Sequence, residues 1–132
     1  MNLKMSFLAI IALMMSAGAS GAADKPSYQS SGGLKITVLY GHPTNPEEFE
    51  KYYFETHMPL VIAANPGKRM ETSKCPPAAD GSPTPYYRIF EIWFDSQAEM
   101  AAITSTPEWK KVVADVPNFA TGGITRVLSS LD

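Results

Sequence analysis

Few side chains in this sequence are suited to moving protons, and their spacing narrows what they can do. The 132 residues contain two histidines, His42 and His57, and imidazole is the side chain whose ordinary pKa falls in the useful range. His57 lies four residues after Tyr53 and two before Pro59. A proline inside a helix removes one N–H and crowds the carbonyl four residues back, here that of Glu55, so the helix should bend and free a carbonyl close to His57. Two readings of His57 stand: its ring caps that carbonyl, or it faces a pocket as an acid/base group. His42 precedes Pro43 just past an extended segment, as either a turn residue or a ligand-facing group. Glu91 sits between Phe90 and Ile92, where a carboxylate is costly unless it faces a wet cavity or pairs with a cation. Partial burial would raise its pKa and give a second acid or base.

The histidines are fifteen residues apart with no Cys or carboxylate at metal-ligand spacing around them, so no metal site is expected. There is no glycine-rich phosphate loop, no dinucleotide fingerprint and no Gly-x-Ser-x-Gly elbow, and none of these cofactor chemistries is implied. The single cysteine, Cys75, precedes Pro76-Pro77 and reads as a loop residue that offers no intramolecular disulfide.

The elements that must position these groups follow from periodicity. Residues 34–40 alternate as a strand, with Leu34, Ile36, Val38 and Tyr40 on one face. Asn45, Pro46 and Glu48 then form a capping-box-like helix start. Phe49, Tyr52, Tyr53, Thr56 and Leu60 should make its buried stripe, and Asn65-Pro66-Gly67 closes it. Residues 70–74 are a weaker strand, followed by a loop rich in Pro, Ala and Gly. Residues 86–94 form the strongest strand. Tyr86, Arg88, Phe90, Ile92 and Phe94 share one face, Tyr87, Ile89, Glu91 and Trp93 the other, so it should be central and covered on both sides. Ser96 and Thr106 cap two further helical segments, and residues 122–128 give the last strand.

The order is β-α-β-β-α-β, the rhythm of a ferredoxin-like split β-α-β fold, α+β with a four-stranded antiparallel sheet. The first and third strands are expected side by side, in parallel, with the helices on one face. The other face would then show Tyr87, Ile89, Glu91 and Trp93. An exposed apolar patch of that kind marks an association surface, so a homodimer with facing sheets and an enclosed space between them is expected.

Composition sets outer bounds. The formal net charge is −2 and no basic block is present, which disfavours nucleic acid. Residues 1–23 run from Lys4 through an uncharged apolar stretch to a small-residue region. That is the order of a secretory signal, too short to span a bilayer. An exported, periplasmic or secreted protein is expected, with residues 24–33 as a flexible Ser/Gly tether and 34–130 as the folded domain.

Ile36-Thr37-Val38-Leu39-Tyr40-Gly41-His42-Pro43, Tyr52-Tyr53-Phe54-Glu55-Thr56-His57-Met58-Pro59-Leu60, Tyr86-Tyr87-Arg88-Ile89-Phe90-Glu91-Ile92-Trp93-Phe94-Asp95 and the late Pro117-Asn118-Phe119 occur in this order. In them the chain resembles the EthD family. The resemblance spans residues 34–128 and implies a dimeric α+β barrel. Members of the wider superfamily include cofactor-free monooxygenases, lactone isomerases, polyketide cyclases and haem-handling enzymes, so the fold alone does not settle function. Two readings remain. One is a cofactor-independent enzyme, an oxidoreductase or isomerase, acting on a small apolar or aromatic metabolite. It would use His57 helped by Glu91 or His42, with Tyr40, Tyr87 and Trp93 as apolar walls and Asn118 orienting a ligand oxygen. The other is a non-catalytic binding or structural dimer.

Overall fold

The protein is described here by a computed structural model covering residues 32–132; the signal-like segment and the tether up to residue 31 lie outside the described residues. Strand β1 (Leu34–Tyr40) leads into helix α1 (Pro46–Tyr52), a π-helical turn (Tyr53–His57) and helix α2 (Met58–Ala64). Strands β2 (Met70–Lys74) and β3 (Arg88–Phe94) follow, then helices α3 (Gln97–Thr104) and α4 (Pro107–Asp115), a 3-10 turn (Val116–Asn118) and strand β4 (Ile124–Ser130). The helix starts are where cap chemistry puts them. Asn45 accepts from the Glu47 and Glu48 amides, Ser96 from Glu99 and Thr106 from Trp109, each satisfying amides that have no partner inside the helix.

The sheet order is β2-β3-β1-β4 and every neighbouring pair is antiparallel. The α+β, ferredoxin-like architecture is therefore the one expected, with β1 and β3 central, but the parallel pairing of these two strands is not. The reason is topological. The β1-helix-β2 crossover brings β2 back parallel to β1 with a gap between them. The chain then reverses, and β3 fills the gap running against both neighbours.

Alternation along β3 separates two environments. Arg88, Phe90, Ile92 and Phe94 are buried beneath the helices, while Ile89, Glu91 and Trp93 are half-buried on the open face. One sheet face thus joins the core, where Ile36, Tyr40, Phe90, Ile92 and Phe94 meet Phe49, Tyr53, Val61, Trp109, Val112 and Phe119. Tyr87 does not share the open face. It precedes β3, is buried, and packs edge-on against Phe49 with ring centroids 5.2 Å apart. At one end of the sheet, the Gly41 amide donates to the Gly123 carbonyl. A Cβ at Gly41 would collide with the Gly122 carbonyl oxygen, so glycine is required there by close approach rather than by backbone conformation.

The helical segment before β2 departs from the expected stripe. Phe49, Tyr53, His57 and Val61 are buried, whereas Thr56 is exposed and Leu60 is only half-buried. The π turn is the cause. The Met58 amide bonds five residues back, to the Tyr53 carbonyl, and this wider turn holds one extra residue. Every later position is displaced by one, so His57 takes the direction a regular helix would give Thr56, and Val61 that of Leu60. Widening the turn also relieves the crowding that Pro59 imposes on the preceding carbonyl. The burial assigned to this stripe is measurable in urea unfolding midpoints: Phe49→Ala should cost about 3–5 kcal/mol and Thr56→Ala less than about 0.5 kcal/mol. A Thr56→Ala loss above about 1 kcal/mol would mean that Thr56 is buried, as a regular helix would place it.

Candidate active site between helices and sheet

With His57 turned inward, its surroundings decide its chemistry. The residue is 2% exposed and its ring lies 4.5 Å, centroid to centroid, from Phe119. Nδ1 is 2.9 Å from Asp115 Oδ2. Asp115, at the end of α4, is also buried. The Tyr52 hydroxyl donates to its Oδ1 at 2.6 Å and the Asn118 amide at 3.0 Å. Burial works to raise the Asp115 pKa, but the hydrogen bonds from Tyr52, Asn118 and His57 outweigh it and hold the carboxyl below the usual range. Burial also acts on His57, lowering its pKa by more than the Asp115 contact raises it.

At neutral pH the pair is therefore a carboxylate beside an uncharged imidazole. An ionised carboxylate only accepts, so Nδ1 must carry the proton and donate it. That fixes the tautomer and leaves Nε2 as a lone-pair base with no hydrogen-bond partner among the described residues. Of the two readings of His57, the carbonyl cap is not what the ring does: its hydrogen bond goes to a side chain 58 residues away.

His57 lines a cavity of about 280 Å³ between the helices and the sheet. Val61, Trp109, Val112, Val113, Val116 and Pro117 form its helical wall, and Ile36, Val38, Tyr40, Phe90, Ile124 and Arg126 its sheet wall. Burial pushes the Tyr40 phenol well up, so it stays protonated. Its hydroxyl has no hydrogen-bond partner among the described residues and can donate to a ligand oxygen. The arrangement thus offers a base, a neutral donor and an apolar enclosure.

The remaining sequence candidates lie elsewhere. Glu91 is on the open sheet face, where Lys35 Nζ approaches its Oε1 to 2.7 Å. That face is opposite to His57, so the two do not cooperate across one cavity. Trp93 shares the open face, with the Arg69 guanidinium 4.1 Å from its ring centroid. The Tyr87 hydroxyl donates to Glu50 at 2.7 Å, within a group where Arg88 also binds Glu50 at 2.6 Å. His42 is exposed, its Nε2 2.6 Å from the Thr84 carbonyl, which ties the chain after β1 to the Pro-rich loop. Asn118 lines a separate outer groove of about 350 Å³ beside Tyr52 and reaches the site only by way of Asp115. Of the seven candidates, His57 and Tyr40 line the cavity.

Asp115 was missed by sequence reasoning, although a signal existed. It falls three residues after Val112 and six after Trp109, at the end of an apolar helix face, where an acid needs a reason. Among the described residues no group of three His, Cys, Asp or Glu side chains is placed to hold a metal ion.

Comparison with known proteins agrees with this fold. The model of the EthD domain matches residues 41–123. An uncharacterized 11.0 kDa protein from the thcB-thcC intergenic region of Rhodococcus erythropolis is 36% identical over 95 residues, covering 72% of this chain and 91% of that protein. A crystal structure of an ethyl tert-butyl ether d (EthD) family protein from Bacillus halodurans aligns with a TM-score of 0.66 and 26% identity, over 74% of this chain and 96% of the other. A dimeric ferredoxin-like protein of unknown function from Thermobifida fusca aligns with a TM-score of 0.57 over 79% of this chain and 95% of the other, and at 17% identity it shows shared fold alone. With a family match across most of the described residues and a relative sharing more than a third of aligned positions, the chain belongs to the EthD family.

Proposed function

We propose that this chain binds a small, largely apolar molecule in the cavity between helices and sheet and removes a proton from it through His57, without a cofactor. The supporting observation is the pairing of His57 Nδ1 with the buried Asp115 carboxylate at the wall of a largely apolar cavity. Nε2 would accept a proton from a C–H or O–H activated by a neighbouring carbonyl, and the Tyr40 hydroxyl would donate to the oxygen on which charge develops. Asp115 orients the ring and stabilises the imidazolium that forms, the division of labour seen in acid-histidine pairs generally. Proton removal next to a carbonyl is the step shared by isomerase and cyclase chemistry. Glu91 and His42 have no part in this scheme. Should no turnover accompany ligand binding, the cavity serves an exported binding module instead.

The scheme is measurable without the natural substrate. Exchange of the α-protons of 2-indanone in deuterated water, a probe that is apolar and ring-sized, should be accelerated by the protein. The acceleration should fall by about 10²-fold or more in His57→Ala; undiminished exchange would remove His57 from the role.

The charge states have their own readout, since only two imidazoles need resolving by NMR. His57 should titrate below its ordinary value of about 6.5, and Asp115→Asn, by removing the contact that raises the pKa, should move it lower still. The sign carries through to stability. The unfolded chain takes up a proton near pH 6.5 that folded His57 refuses, so stability from this group is present above about pH 6.5 and declines as pH falls below it. A normal or raised His57 titration would contradict the assignment.

The open face supports a second part of the proposal, a homodimer with sheets facing each other. Leu39, Ile89, Trp93 and Val127 lie on that face by register, and Val127 is 42% exposed. The Thermobifida protein of the same fold is dimeric. Export is suggested by the signal-like order of residues 1–23. Light scattering of protein recovered from the exported fraction should return twice the chain mass, and Val127→Glu should return a monomer. A monomeric parent protein would overturn the dimer, and absence from that fraction would overturn export.

A further inference from the structure

We infer that the ligand of this cavity is an organic acid, its apolar body enclosed and its carboxylate held by Arg126 at the mouth. The inference rests on the cavity being the ligand site and goes on to name the ligand's chemistry. The chain has three arginines. Arg69 pairs with Glu71 at 2.8 Å and Arg88 with Glu50 at 2.6 Å, whereas Arg126 has no ion pair or hydrogen bond among the described residues. It nevertheless lines the cavity. No carboxylate is among the lining residues, since Asp115 stands behind His57, so nothing in the wall neutralises the guanidinium.

Placement shows how it would work. Arg126 lies opposite Val38 in the β1–β4 register, on the helix-side face of edge strand β4, with Ile124 and Leu128 two residues to either side. Ile124 and Leu128 are 44% and 50% exposed, and Val113 facing the cavity from α4 is 53% exposed. The opening is thus an apolar rim bearing one cation, along which the arginine stem can lie while its head stays hydrated. His57 and Tyr40, with the indole N–H of Trp109, are the other polar groups of the wall. A ligand held at both ends would be polar at its reacting carbonyl and anionic at its outer end. A lone guanidinium, with no lysine among the lining residues, matches a monoanion that it can grip with two parallel hydrogen bonds, which favours a carboxylate over a phosphate dianion. Volume limits the rest: about 280 Å³ is roughly twice the ~150 Å³ that accommodates benzene, enough for two fused rings or one ring with a short chain.

Isothermal titration of the purified protein with 2-naphthoate and with its methyl ester separates the contributions. The acid should bind at least about tenfold more tightly than the ester. Arg126→Gln should erase that advantage and leave ester affinity within about twofold, and Arg126→Lys, a point charge without the fork, should retain only part of it. Arg126 is exposed, so its variants should keep the parent urea midpoint. Equal binding of acid and ester, or an equal loss of both in Arg126→Gln, overturns the assignment of Arg126 while leaving the cavity as a ligand site. Binding of neither probe overturns the cavity reading together with it.

Discussion

A buried carboxylate governs the arrangement of this domain. Taking Asp115 out of water costs several kcal/mol even after local relaxation, and the cost is tolerable only if its lone pairs find donors. Three arrive from separate parts of the fold: Tyr52 from the end of α1, His57 from the π turn and Asn118 from the 3-10 turn. Because each bond requires its element to sit at a particular height and rotation, one side chain ties the first helical segment to the last. The same bonds choose the imidazole tautomer. Stability and the protonation of His57 are therefore specified by one set of contacts, and a change that loosens the carboxylate would disturb both.

The sheet keeps two kinds of polarity apart. On the open face charges are matched: Lys35 with Glu91, and Arg69 with Glu71 while it stacks on Trp93. On the helix side the charges at the β2 end are likewise paired, with Arg88 bound to Glu50 and also to Thr72. The imbalance is at the other edge. Between α4 and β4 the helices cover the sheet incompletely, leaving Ile124, Leu128 and Val113 partly exposed, and it is here that an unfilled volume, an uncharged base and an unpaired cation occur together.

Much of this organisation could be read from residue order. Caps at Asn45, Ser96 and Thr106 were legible because short polar side chains before apolar periodicity have a local physical meaning. The alternation of β3 was legible for the same reason, as was the membership of Phe90, Ile92 and Phe94 in one face. What escaped is non-local. Period-2 alternation with large groups on both sides cannot say which face meets the helices, so Glu91 could not be placed. Tyr87 was misassigned because the regular strand starts two residues later than expected, at Arg88. Two of the three donors to Asp115 lie 63 and 58 residues away, a separation that no local pattern reports. The family resemblance implied a dimeric barrel but carried no assignment of the cavity wall.

Helical position is usually treated as a function of sequence alone: count residues, multiply by a fixed angle, and the inward-facing ones are known. In the segment from Phe49 to Val61 the count and the outcome separate, since a turn bonded five residues back rather than four exchanges Thr56 for His57 at the interior. An unaltered chain wound regularly would present a hydroxyl to the cavity, and as wound it presents an imidazole. The identity of that wall is thus encoded in backbone winding as much as in composition, and two chains with the same letters at these positions share a site only if they share the turn.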